Sequence, residues 1–252
     1  NGKVELTGIQ KLRELILDLA VRGKLLDQDP EDENASKLLE RIQIKRDALI
    51  PEGSKNKSKK LPEIKEEDHP FETPDSWEFV RLSNAVEIIR GITFPASEKM
   101  KSPEPGRIAC LRTSNIQRNV ETEDLIYVSE SFVSKDSQYI RHNDIVMSMA
   151  NSRELVGKVA IIKEAPKKPI TFGGFLGVLR PILINPGFLM AFLRAPTTRT
   201  TLIGSASQTT NIANISMGKL NPLVMPLPPL EEQHRIVQKV DELMALCDRL
   251  EQ

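Results

Sequence analysis

Four groups of side chains in this 252-residue chain could act on a ligand. Arg112, Thr113, Ser114 and Asn115 close one apolar run. Ser148, Asn151, Ser152 and Arg153 occupy a turn between two others. Lys167 and Lys168 form a basic loop, and Ser205, Ser207, Gln208, Thr209, Thr210 and Asn211 make a polar stretch. These are residue types suited to nucleic acid. Arginine pairs with guanine, and asparagine or glutamine with adenine, through two hydrogen bonds in the major groove, while lysine and small hydroxyls hold phosphate. Any one of them is also ordinary in a polar loop, so charge must add weight. The chain has a formal net charge of zero, yet residues 77–222 carry 18 Lys and Arg against 12 Asp and Glu. The remainder is acidic by the same margin, which points to separate tasks for the middle and the flanks.

No pattern for catalysis accompanies these groups. FGGFLG (172–177) has the glycines of a cofactor loop, and NPGF (185–188) approaches the NPPY-type signature of amino-group methyltransferases. Only about ten residues separate them, too few for the intervening βαβ units, and the glycine run reads as lying inside a strand. EIK (63–65) imitates the end of a nuclease motif but sits in a polar stretch without an apolar strand. His69, His142 and His234 are isolated, without metal-ligand spacing. There is no GxSxG, HExxH or Walker loop. Cys110 and Cys247 are far apart and read as small apolar fillers in a reducing compartment, which fits a cytoplasm. No apolar run reaches the roughly 18 residues of a membrane span, and NGKVELTG lacks the apolar core of a signal peptide. The first residue is Asn rather than Met, as in an excised fragment.

The elements that must hold these groups change character along the chain. Thr7 reads as the cap of a helix whose Ile9, Leu12, Ile16 and Leu19 share one face, with Gly23 as its stop. Asn34 caps a second helix with Leu38, Leu39, Ile42 and Leu49 inward. Residues 51–70 have few apolar residues and read as a charged linker, with Lys55, Lys57, Lys59 and Lys60 ordinarily solvated. Strands follow at 77–82, 107–113, 124–128, 144–150, 157–163, 174–181 and 222–228. Helices are expected from Ser83 to Gly91 and from Pro186 to about Leu193. Pro228 and Pro229 then stop the last strand and launch a helix, with Glu231 and Glu232 complementing its dipole. Ile236, Val240, Leu243, Cys247 and Leu250 repeat at four, three, four and three, a heptad seam that requires a partner helix from this chain or another. The fold class is α+β: a mixed, strand-rich domain flanked by N-terminal helices and a long C-terminal helix of coiled-coil type. The segments are 1–50 helical, 51–70 linker, 71–228 the strand-rich domain and 229–252 the terminal helix.

PLPPLEEQHRIVQKVDELMALCDRLE closely resembles the conserved-region helix of type I restriction–modification specificity (S) subunits, and GIQKLRELILDLAVRGKLLDQDPEDENASKLLERI resembles their N-terminal segment. PFETPDSWEFVRLSNAVEIIRGITF looks like the opening of a target recognition domain, with NDIVMSMANSRELVGKVAII and QTTNIANISMGKL as later landmarks. The resemblance implies a non-catalytic, DNA-binding subunit that reads one half of a split site. It implies partner methyltransferase (M) subunits that bind S-adenosylmethionine and methylate adenine, and restriction (R) subunits that cleave. This chain itself would bind no cofactor. Its length matches the N-terminal half of such a subunit, so the seam is expected to meet the other half or a second copy, with self-association at high concentration. Two readings stand beside this one: a protein-interaction scaffold that does not read DNA, and a stand-alone methyltransferase or nuclease.

Overall fold

The computed structural model describes residues 2–49, 61–208 and 212–251. In chain order these form α1 (Gly2–Val21), α2 (Ala35–Leu49), β1 (Glu78–Arg81), α3 (Leu82–Ala85), β2 (Val86–Arg90), β3 (Arg107–Leu111), β4 (Ile126–Ser129), β5 (Ile145–Ser148), β6 (Ala150–Asn151), β7 (Val159–Ile161), β8 (Ile170–Phe172) and β9 (Leu176–Pro181). Then come α4 (Pro186–Arg194), α5 (Pro196–Ser205), β10 (Ser207–Gln208), β11 (Ala213–Asn214), α6 (Met217–Leu220), β12 (Val224–Leu227) and α7 (Leu230–Leu250). The class is α+β, as the sequence implied. No helix among the described residues is long and apolar enough to cross a membrane.

The chain divides into two compact units: residues 1–85, 182–200 and 221–252, and residues 86–181 and 201–220. This partition differs from the segments read off the sequence. Residues 71–85, 182–200 and 221–228, expected in the strand-rich domain, belong with the terminal helices because β1 pairs with β12 and α4 packs on α7.

In the first unit α7 lies antiparallel to α1. Arg13 of α1 reaches Asp248 at 2.7 Å and Glu251 at 3.1 Å near the end of α7, while Gln28, beyond α1, meets Glu232 at the start of α7. The heptad seam therefore has a partner within the chain. Ile236, Val240 and Cys247 are buried against α1 and α4, Leu243 is half-buried, and Leu250 is exposed. Thr7, expected as a cap, lies inside α1 instead. Gly23 does close the turn after α1 with φ +68°, and a Cβ there would lie 2.5 Å from the Pro74 ring. Asn34 caps α2 by accepting from the Ser36 amide at 2.9 Å. Leu38 and Ile42 are buried as expected, but Leu49 is exposed.

Residues 51–60 of the expected linker, with Lys55, Lys57, Lys59 and Lys60, lie outside the described residues. The linker's end packs on β1: Asp68 pairs with Arg81 at 3.1 Å and His69 lies against Phe79, joined there by Phe71 just beyond the linker. The opening of α7 is tied down by side chains rather than by its dipole alone. Glu232 is buried and accepts from Trp77 Nε1 at 2.8 Å and Gln28 Nε2 at 2.7 Å. Gln233, also buried, donates to the Pro228 carbonyl and accepts from the Asn185 amide, each at 2.9 Å. Arg235 forms a paired contact with Asp32.

The second unit holds an antiparallel sheet in the order β2-β9-β5-β7, a mixed sheet β4-β3-β8 in which β3 and β8 run parallel, and a small sheet β10-β11-β6. The expected helix from Ser83 to Gly91 is α3 followed by strand β2. VEIIR is a short apolar run whose backbone finds a full ladder on β9, from Val86↔Pro181 to Arg90↔Gly177. β8 and α5 were not anticipated, and Gly174–Phe175 is a turn between β8 and β9 rather than the interior of a strand, with Gly173 bridged to Ile92. Leu111, Phe172, Val146, Leu176 and Val178 share one apolar core. Beside it, Arg180 clamps the fully buried Asp144 through Nε and Nη2 at 2.8 and 2.9 Å.

Candidate nucleic-acid interface

Strand direction decides which of the candidate residues meet. β3 and β8 are parallel, so Arg112 and Gly173 leave their strands at the same end. β9 starts there, with Leu176 opposite Ser148 at the close of β5, and β7 starts there, with Val159 opposite Met147. β2 finishes there too, with Arg90 opposite Gly177. Arg112, Thr113, Ser148, Asn151, Ser152 and Arg153 thus collect at one end of the unit. β6, which carries Asn151, pairs with β11 and through it with β10, so the backbone of Ser207 and Gln208 joins this end as well. The side chains of Ser207 and Gln208, and all of Thr209, Thr210 and Asn211, lie outside the described residues.

Lys167 and Lys168 do not join this group. They lie in the connection from β7 to β8, at the opposite strand end, where they rim a cleft of ≈ 910 Å³ with Arg107, Tyr127 and Lys163. One loop of sequence is enough to bring two basic residues together, but it cannot show that the strand before it has carried them away from Arg112.

Within the Arg112 end the groups differ in what they can still do. Asn115 is buried, and its amide is used by the fold: Oδ1 accepts from the Arg112 amide at 2.8 Å and Nδ2 donates to the Asp124 carbonyl at 3.0 Å. It shapes the loop rather than facing a ligand. The Arg112 guanidinium is held by Asp124 Oδ2 at 2.8 Å, with its fork near the surface. Asn151 is held by its chain neighbours, donating to Ser148 Oγ at 3.4 Å and accepting from the Ser152 amide at 2.9 Å. Ser148 itself is buried. The structure adds a pair that the sequence reading missed. Lys158 donates to Gln117 Oε1 at 2.6 Å, joining the loop after β3 to the start of β7 at this same end. The second unit as a whole carries 15 Lys and Arg against 11 Asp and Glu. Cation and amide donors on a net-basic unit are groups that can hydrogen-bond an anionic polymer.

The Cys110 thiol is pushed up to about 12 by burial, and both cysteines are free and buried. His234 is exposed near Glu231. No group of three or more His, Cys, Asp or Glu among the described residues could hold a metal ion.

Residues 74–252 match the family model for the type I restriction modification DNA specificity domain. The chain is 38% identical to the type I restriction enzyme EcoAI specificity subunit of Escherichia coli over all of its own length and 42% of that protein. It is 35% identical to the EcoEI specificity subunit of the same species, again over its full length and 42% of the relative. In fold it is similar to the HsdS subunit from Thermoanaerobacter tengcongensis, with a TM-score of 0.51 and 18% identity, covering 98% of this chain and 51% of that one. The chain thus spans less than half the length of these curated relatives.

Proposed function

From the premise that the chain belongs to the type I restriction modification DNA specificity family, we propose that it is a DNA-reading module serving methyltransferase and restriction subunits. The second unit reads one half of a split site through its Arg112 end. The observation that carries this is the gathering of Arg112, Ser152, Arg153 and the Lys158–Gln117 pair at one strand end of a net-basic unit. Catalysis falls to the partners: S-adenosylmethionine is bound by the methyltransferase subunit, and strand cleavage belongs to the restriction subunit.

The first unit offers the protein contacts. Leu12 and Leu15 of α1 and Leu246 and Leu250 of α7 are exposed. At 100° per residue on antiparallel helices they fall on one side of the pair, opposite the Arg13–Asp248 ion pair. This apolar strip fits a helical partner, either a second recognition module or a methyltransferase subunit. Because Ile236, Val240 and Cys247 already face α1 and α4, association would use this strip, to which the heptad seam contributes Leu250 alone.

The test is binding to a pool of duplexes, with and without a methyltransferase subunit, at two salt concentrations. Selection of a common half-site is expected, with affinity falling steeply as salt rises because phosphate contacts release counterions. Absence of any preference in both arms overturns the reading.

A further inference from the structure

Three large apolar side chains are exposed among the described residues of the second unit: Leu155, Phe175 and Ile212. All three stand at the Arg112 end. Leu155 is in the loop from β6 to β7, Phe175 is in the turn from β8 to β9, and Ile212 immediately precedes β11. Phe175 is the largest of them and is 67% exposed. It belongs to the FGGFLG run, which holds no cofactor loop and has no other role so far.

The backbone beneath Phe175 is fixed from several directions. Its carbonyl accepts from the Met149 amide at 2.8 Å and the Ala150 amide at 3.3 Å. The turn is closed by the Leu176 amide on the Gly173 carbonyl at 2.8 Å, and Gly173 donates to the Leu111 carbonyl at 3.0 Å. The chain on one side thus leads within a residue to Asn151 and on the other to Arg112. A Cβ on Gly91 would lie 2.2 Å from the Gly173 carbonyl oxygen, so the strands close beneath this turn backbone to backbone. A rigid base therefore presents an aromatic ring that contributes nothing to the core, among amide and cationic groups. That combination matches side chains that stack on a base or wedge into a base step.

We propose that Phe175 is a base-stacking wedge of the reading surface, with Leu155 and Ile212 as its apolar flanks. The proposal rests on the DNA-reading function above and adds a contact to the bases that hydrogen bonding does not supply. Stacking tolerates any base, so Phe175 sets affinity and the opening of one step, while the polar groups set sequence.

The chain's single tryptophan, Trp77, is buried in the other unit, so Phe175→Trp introduces one exposed indole as a reporter. The assay uses the full chain and a duplex taken from the selection above. Phe175→Trp is expected to bind like wild type, with its emission quenched when the duplex is added. Phe175→Ala is expected to keep its circular dichroism and lose about 5- to 150-fold in affinity, with an unchanged salt slope because no phosphate contact is removed. Wild-type affinity in Phe175→Ala overturns the wedge and leaves the reading function standing, as does unquenched emission from bound Phe175→Trp. A loss confined to methyltransferase-subunit binding also overturns it, in favour of a protein contact. If wild type binds no duplex at all, both proposals fall.

Discussion

The indole N–H of Trp77 donates to the carboxylate of Glu232 at 2.8 Å, joining positions 155 residues apart. Burial raises the Glu232 pKa, opposed by the hydrogen bonds from Gln28 and Trp77. A carboxyl whose folded pKa exceeds its unfolded value binds more protons in the folded state between those values. Stability therefore falls as pH rises from the ordinary carboxylate range through the raised pKa. Glu232→Gln should flatten that part of a plot of urea midpoint against pH. Trp77→Phe keeps an aromatic ring but removes the donor together with the buried pyrrole, so it should cost about 1.5–3 kcal/mol for the lost bond to a charged acceptor plus the cost of the cavity left behind.

Arg180 is the only cation clamped on the buried Asp144 among the described ion pairs. Its Nη2 also donates to the carbonyls of Ser137 and Tyr139 at 3.3 and 3.1 Å, fixing the preceding loop. Arg180→Met leaves a buried, uncompensated carboxylate and should destabilise by about 3–5 kcal/mol. Hydrogen exchange in β5 and β9 should accelerate accordingly, and adding Asp144→Asn should recover part of the loss.

Two glycine substitutions should have opposite signs. Gly91→Ala puts a methyl 2.2 Å from the backbone oxygen of Gly173, which cannot yield, and should disrupt the second unit. Gly8 lies within α1 with nothing within 4 Å of its would-be Cβ. Gly8→Ala should stabilise by about 0.5–1 kcal/mol through helix propensity. Thermal melts of the two variants decide it.

The opposed strand ends predict unequal effects on DNA. Lys158→Ala should weaken duplex binding and reduce the slope of affinity against salt by about one. Lys167→Ala with Lys168→Ala should leave sequence preference unchanged. An altered preference in the double variant would place the reading surface at the wrong end.

Both cysteines are buried, and burial holds the Cys110 thiol near 12. Neither should react with a colorimetric thiol reagent at mildly alkaline pH until the chain is unfolded, when two equivalents should titrate.

Some of this was legible because single residues force it. Two prolines and a heptad repeat leave α7 little alternative, and the structure gives Leu230–Leu250. The same repeat could not say which helix faces it; Ile16 and Ala20 answer that only once α1 folds back. VEIIR was ambiguous because five apolar-rich residues fit one helical turn or one strand, and the ladder to β9 decided for strand. Glu232 at a helix start satisfies the dipole rule whether exposed or buried, so its partner Trp77 was invisible locally. At the candidate interface, Arg112 and Asn151 drew notice because polar residues closing apolar runs stand out, and the strand directions bring them to one end. Lys158 and Gln117 were missed because their hydrogen bond crosses between sheets.

The second unit is assembled from two stretches, 86–181 and 201–220, and β6 of the first is completed by β11 of the second. This constrains how such modules can be traded by recombination. A chimera that imports only 86–181 from a relative would set a foreign β6 against the resident β11 and mismatch the sheet beside Asn151. The smallest block that travels with its own pairing intact is 86–220. It necessarily carries α4 into the recipient's helical unit, where Gly187 must still accept Val237 at close range. Successful natural or engineered hybrids should therefore match their donor and recipient at Gly187 and Val237.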